Sequence, residues 1–254
     1  MPLTMQVSAL EASLRACLLP PAGGGALSIQ SATEITPGLS GSRLFRVRLR
    51  PEAIDDPDVQ RAPAELGQSL ILKVPDWGTP TSLASRDAGV GLREIHFYES
   101  GLAARLPEGL RAPRLLGIDH TPPDLGTWLW TEDVATALAV HWTPERALAA
   151  ARSAGRLHAL FVAEQAELAR QGWLERDGYA AYAHHMPAAH CHLVRLPTHP
   201  HWSHLFTHQE RAALHRALDL TPWAITELRR LPPTLVHGDF HVDNLGCDPD
   251  GTVV

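Results

Sequence analysis

The chain has 254 residues, 44% of them hydrophobic, with 22 basic side chains against 28 acidic ones and a formal net charge of −6. That length builds one large domain or two small ones around a sizeable core, and the acidic balance argues against a nucleic-acid binder, whose affinity comes largely from Lys and Arg on phosphates. No run of about 18 apolar residues is present, which excludes a membrane-spanning helix, and the three widely spaced cysteines, Cys17, Cys191 and Cys247, offer neither a disulfide framework nor a zinc spacing.

In chain order, Leu10, Leu14, Cys17 and Leu18 recur at helical spacing and predict a short amphipathic helix. Glu11 and Arg15 interrupt that apolar stretch, so it does not read as a signal peptide. With an odd cysteine count, the expectation is a cytoplasmic protein. After a break at Pro20 to Gly25, Phe45, Val47 and Leu49 alternate with Arg46, Arg48 and Arg50, a strand pattern. The segment before it, containing Gly38, Ser40, Gly41 and Ser42, then falls at a β-turn between two strands. Small residues and hydroxyls there let backbone N–H groups approach phosphate oxygens, although a plain hairpin turn has the same composition. No helix follows, so this is neither a Walker A loop nor a Rossmann fingerprint.

Pro51 to Gln68 is polar and acidic and reads as a solvated hairpin insertion. Ser69 to Pro75 is a strand carrying one lysine, Lys73, inside an apolar run. An ammonium is costly to bury without a partner, so Lys73 either sits at a strand end with its stem snorkelling or is paired inside a cleft. Beyond a Gly/Ser/Thr-rich link to Gly91, a helix is expected from Leu92 to about Arg105, with Ile95, Tyr98 and Leu102 on one face. Glu94 borders that face. It is either within reach of Lys73 or, like Glu99, an exposed helix acid. Pro113 to Ile118 and Thr127 to Thr131 read as two more strands around a turn at Pro122 to Asp124.

From Thr143 the pattern turns helical, with an N-cap, Pro144 at the first helical position and Glu145 in the first turn, running to about Arg170. Residues 184 to 215 hold nine histidines and Cys191, but no pair of pairs has a metal spacing. A solvated lid near the substrate is the expectation for this segment. Thr207 to Glu210 has the capping-box pattern and opens another helix, which Pro232 and Pro233 end.

The stretch Leu235 to Gly246 carries the densest chemistry. An apolar pair leads into His237-Gly238-Asp239, and Asn244 follows Asp239 by five positions. Phosphoryl transfer needs an acceptor for the hydroxyl proton and an oxygen ligand for the Mg²⁺ on the phosphates, and His-x-Asp-x-x-x-x-Asn supplies both from one loop. A rival chemistry uses the same letters. On a strand, His237, Asp239 and His241 would share one face, and that donor set would suit a metal-dependent hydrolase.

His237-Gly238-Asp239 with Asn244 resembles the loop of the aminoglycoside phosphotransferase-like family of small-molecule kinases. Arg93-Glu94-x-x-Phe97-Tyr98 resembles that family's helix, and Leu157-His158-Ala159 its later helical segment. The features come in the family's order over about residues 29 to 254. The resemblance implies an α+β, bilobal protein-kinase-like fold. Residues 1–132 would form a nucleotide-binding lobe of antiparallel strands with one helix, and residues 133–254 a mainly helical catalytic lobe. It implies ATP and Mg²⁺, with Asp239 as the base and Asn244 on the metal. Lys73 and Glu94 would place the α/β-phosphates, Gly38 to Ser42 would cover them, and Glu132 and Val134 would form an interlobe hinge holding the adenine edge. His158 would pack under the loop. The acceptor would be a hydroxyl of a small molecule such as an aminoglycoside, an amino alcohol or a sugar, with no nucleic-acid or membrane partner. Leu245 to Val254 reads as a hairpin with an open second strand, and in the family an Ile-Asp segment supplying the principal Mg²⁺ ligand comes soon after it. The expectation is therefore a truncated chain, itself inactive or nearly so, with a gene fragment or a lost activity as alternatives. The other reading kept open is a non-catalytic nucleotide binder.

Overall fold

The computed structural model describes residues 7–18, 28–35, 42–50, 69–75, 92–121, 126–174, 177–200, 206–238 and 240–254. The insertion 51–68, the link 76–91, the turn residues Gly38, Ser40 and Gly41, and the loop carboxylate Asp239 lie outside the described residues. The described chain combines helices with one antiparallel sheet. It divides into two compact units, Met1–Leu157 with Val236–Val254, and His158–Leu235.

The first unit is built on five strands: β1 (Ile29–Ile35), β2 (Ser42–Leu49), β3 (Ser69–Pro75), β4 (Leu115–Asp119) and β5 (Trp128–Glu132). Their order is β1-β2-β3-β5-β4, every neighbouring pair antiparallel. Period-two alternation sends Phe45, Val47 and Leu49 to one face, as their spacing predicts. Leu70, Leu72, Val74, Trp128 and Trp130 join them there, under Leu10 and Leu14 of helix α1 (Val7–Leu18). The α1 packing is close: a Cβ on Gly117 of β4 would come within 2.3 Å of the Cys17 Cβ. Trp130 is wholly buried, and its indole N–H donates to the Ser13 hydroxyl at 3.0 Å.

The opposite face carries helix α2 (Arg93–Glu99), whose Ile95 and Tyr98 pack on Leu129. The helix stops earlier than the apolar spacing suggests. Gly101 adopts φ +75, a left-handed conformation that glycine accepts readily, and Leu102–Arg105 continues as a 3₁₀ turn that still buries Leu102.

Beyond β5 come the short helix α3 (Ala135–Leu138) and the long helix α4 (Pro144–Val162). The helix expected to run to Arg170 breaks after Val162 and resumes as α5 (Gln165–Arg170). In the second unit, much of the histidine-rich segment is helical: α6 (Gly178–Arg195) carries its first part. Helix α7 (His208–Leu228) begins with the predicted capping box. The Thr207 hydroxyl accepts from the Glu210 N–H at 3.2 Å, and the Glu210 carboxylate accepts from the Thr207 N–H at 2.7 Å. His158 is exposed, and its carbonyl accepts from the Thr234 hydroxyl at 2.6 Å. No described helix is long and apolar enough to cross a membrane.

The hairpin after Asn244 forms, with a turn closed by Gly251 N–H on the Asp248 carbonyl at 2.9 Å. Its second strand is not open. Val253 bridges Cys247 on one side and Leu110 on the other, with Arg111 N–H donating to the Val253 carbonyl at 2.9 Å and Val253 N–H to the Gly109 carbonyl at 3.1 Å. Ala150, Leu245, Cys247 and Val253 are buried together. Gly246 is held against α3, where a Cβ would lie 2.6 Å from the Ala137 carbonyl carbon.

Candidate active site

The sheet register decides where Lys73 points. Lys73 lies opposite Leu129 in the β3/β5 pair, and directly opposed residues show their side chains on the same face. Leu129 is packed under α2, so the lysine stem emerges on the α2 side, where Glu94 occupies the first turn. The Lys73 ammonium and the Glu94 carboxylate form an ion pair. Both side chains are half-buried, 26% and 37% exposed, so the ammonium is partnered without being withdrawn from solvent. Below the pair, the Tyr98 hydroxyl donates to the Pro113 carbonyl at 2.7 Å. Burial first, then the charges of Glu94 and Glu132, push that phenol well above its usual range.

The segment after β5 is anchored by its acids. Glu132 closes the strand, its N–H donating to the Arg114 carbonyl at 3.0 Å. Its carboxylate accepts from the Arg114 N–H at 2.7 Å and from the Arg111 guanidinium. Arg111 also forms a two-pronged pair with Asp248 in the hairpin turn, at 2.6 and 3.0 Å. One guanidinium thus ties the end of β5 to the hairpin that follows Asn244. Val134 precedes α3, and its carbonyl accepts from the Leu138 N–H at 3.0 Å. Ser42 is the first residue of β2, opposite Pro75, and is buried.

Asp133, between Glu132 and Val134, carries a role the sequence did not suggest. Its side chain is 6% exposed and accepts from Arg46 Nε at 2.6 Å, the Ser69 hydroxyl at 2.8 Å and the Ala135 N–H at 3.0 Å. The available signal was an acid two positions before a helix start, where a carboxylate satisfies a free helix N–H. Burial alone would raise the Asp133 carboxyl, but the hydrogen bonds from Arg46, Ser69 and Ala135, with the Arg46 charge, outweigh it and hold the group below its ordinary value. A carboxyl depressed in the folded state stabilises above its unfolded pKa of about 3.9, and that contribution is lost as pH falls through the lower folded value. Asp133→Asn is therefore expected to lose about 1–3 kcal/mol at neutral pH. In urea titrations at several pH values, the gap to the unmodified protein should close below about pH 4.

The loop from His237 to Asn244 belongs to the same unit as the sheet. Gly238 has φ +82, a backbone that admits glycine and strains most other residues. The His237 and Phe240 rings meet edge to face, 5.8 Å between centroids. His241 caps a 3₁₀ turn, Val242–Asn244, and Asn244 N–H donates to the His241 carbonyl at 2.9 Å. None of the described residues His237, Gly238, Phe240 and His241 lies in a strand. The hydrolase reading therefore loses the alternation that would have put its ligands on one face. Among the described residues, no group of three or more His, Cys, Asp or Glu is arranged to hold a metal ion.

In comparison with known proteins, the family model described as the phosphotransferase enzyme family matches residues 51–254. No curated protein and no solved structure matches the chain.

Proposed function

Because this chain belongs to the phosphotransferase enzyme family, we propose that it is an ATP-dependent small-molecule kinase with a bilobal, protein-kinase-like fold, its lobes being residues 1–132 and 133–254. The observation that carries the reading is the Lys73–Glu94 ion pair, formed between a central strand and the helix on its open face. A sheet with no electrostatic task has little reason to set an ammonium in an apolar run. Nucleotide kinases use such a pair to hold the α/β-phosphates.

In this reading the acceptor hydroxyl oxygen attacks the γ-phosphorus, and the bond from that phosphorus to the β–γ bridging oxygen breaks. ADP leaves, and the hydroxyl proton passes to the Asp239 carboxylate. Lys73 neutralises phosphate charge and Glu94 fixes its ammonium. The turn containing Gly38, Ser40, Gly41 and Ser42 covers the phosphates, and the backbone of the hinge from Glu132 to Val134 takes the nucleobase edge. Mg²⁺ enters with the nucleotide as part of the co-substrate. Asn244 would hold it through its carboxamide oxygen, a hard ligand of the kind Mg²⁺ takes, and the metal when bound would neutralise phosphate charge. The acceptor is a small hydroxyl compound of the aminoglycoside, amino-alcohol or sugar kind, and the setting is the cytoplasm.

The test is ADP release from MgATP across a panel of such compounds, with thermal shift as the binding readout. At least one acceptor should raise ADP release above the acceptor-free rate, and Asp239→Asn should cut that increment by about 10²-fold or more. Absence of any nucleotide-dependent stabilisation would overturn the reading.

A further inference from the structure

On the kinase reading above, we infer that Arg111 is a positioning residue for phosphoryl transfer: by joining Glu132 to Asp248, it sets the loop that carries Asn244 against the end of β5 where the nucleotide is taken. The guanidinium donates to both sides. Nε and Nη2 reach the two Asp248 carboxylate oxygens at 2.6 and 3.0 Å. Nη1 reaches the Glu132 carboxylate and, at 3.3 Å, the Ala112 carbonyl. All three charged side chains are half-buried.

Each acid is itself fixed. Glu132 ends β5, and its carboxylate also accepts from the Arg114 N–H at 2.7 Å. Asp248 follows Asn244 in a hairpin closed by reciprocal Gly246–Val254 backbone bonds at 2.9 and 3.0 Å and by Asp248 N–H on the Thr252 carbonyl at 2.9 Å. Arg111 N–H donates to the Val253 carbonyl as well, so the backbone and the side chain of one residue hold the hairpin at two points. The backbone bonds fix its register, and the fork on Asp248 fixes its tilt toward β5. A planar guanidinium with donors in fixed directions holds two carboxylates at a set separation, whereas an ammonium is a point charge on a flexible stem. The Asp248 hydrogen bond first, then the bond and charge of Glu132, outweigh burial and raise the guanidinium above its usual value, so its charge is constant across the working pH range. On the Glu132 side the contacts continue toward the phosphates. Tyr98, one turn after Glu94 on α2, donates to the carbonyl of Pro113, the neighbour of Arg114. The ion pair that places the phosphates and the loop that carries the metal ligand are thus two ends of one set of contacts. A misplacement of about 1 Å at a reacting centre costs about 10²-fold in rate, so a small tilt of this hairpin is consequential.

The test is calorimetric binding of a non-hydrolysable ATP analogue, once with Mg²⁺ and once in EDTA. Affinity in EDTA reads the contacts at the hinge and at Lys73, and the gain on adding Mg²⁺ reads the Asn244 end. Arg111→Lys keeps the charge between the two acids and loses the fork. Asp248→Ala keeps every backbone bond of the turn and stands in where the lysine variant fails to fold. Each should cut the Mg²⁺-dependent gain by about 10-fold, the size of a lost support behind a metal ligand, and leave affinity in EDTA within about two-fold. Asn244→Ala should cut the gain likewise. Combining it with Arg111→Lys or Asp248→Ala should cost little more, because the guanidinium acts through that loop. If the two losses add in full, or if the gain survives both Arg111→Lys and Asp248→Ala, Arg111 does not position the loop and the kinase reading stands. If affinity falls equally with and without Mg²⁺, Arg111 merely props the hinge and the inference fails. If Asn244→Ala leaves the gain intact, the metal assignment falls and takes this inference with it. If the unmodified protein binds no analogue in either condition, the kinase reading itself is lost.

Discussion

Lys73→Ala is expected to lower kcat/KM for phosphoryl transfer by about 10²–10³-fold, the range seen when one preorganised charge-stabilising donor is removed. It should leave the fold nearly untouched. The Lys73–Glu94 pair is half-exposed on both sides, and exposed or half-exposed ion pairs contribute about 0–1 kcal/mol. Glu94 loses its partner but keeps access to water, so no buried charge is stranded. Activity and stability therefore separate at this position, and the separation is the diagnostic. Kinetics should show the deficit, and urea midpoints should agree within error. A variant that unfolds readily with kcat intact would make the pair a strut of the sheet and remove the main support for nucleotide binding. Glu94→Gln should follow in the same direction with a smaller deficit, since the ammonium keeps its charge and loses only its fixed position.

Trp130→Ala should do the reverse. The side chain is wholly buried between β3 and β4, under α1. Truncating a buried tryptophan costs about 3–5 kcal/mol, a large share of the 5–15 kcal/mol that separates a typical folded domain from its unfolded chain. A hydrogen-bond term adds to the packing term. The indole N–H donates to Ser13, whose hydroxyl also bonds the Asp119 carboxylate. Trp130→Phe retains most of the packing and isolates the polar part, for which about 1–3 kcal/mol is expected. Far-UV circular dichroism during urea unfolding measures both. A loss below about 1 kcal/mol for the alanine variant would mean that α1 does not close this face.

The parts of this fold that were legible in the sequence are those written in local periodicity. The alternation of Phe45, Val47 and Leu49, the Leu10/Leu14 face of α1 and the Thr207/Glu210 cap each involve residues within a few positions of one another. Lys73 and Glu94 were legible for a different reason: a lysine in an apolar strand demands a partner, and a helix acid nearby in sequence is an economical one. What escaped the sequence depends on residues far apart in the chain. Asp133 gathers Arg46 and Ser69, 87 and 64 positions away. Arg111 reaches Asp248 across 137 positions, from beyond the helix expected to end near Arg105. The strand order, with β5 between β3 and β4, is likewise invisible to periodicity. In the histidine-rich segment before Thr207, side chains with middling helix propensity gave no clear local preference, and α6 there packs against α7.

The double pairing of Val253 has a geometric corollary for chemistry. A ribbon hydrogen-bonded on both edges can shift only in whole residues, and a shift of one would turn the buried Val253 outward and draw Thr252 into its place. Sliding is thus quantised and each step is prohibitive. Asn244, joined to that ribbon through Leu245 and Gly246, consequently has a single stopping place along its length. Any adjustment there must come from rotation of its own side chain.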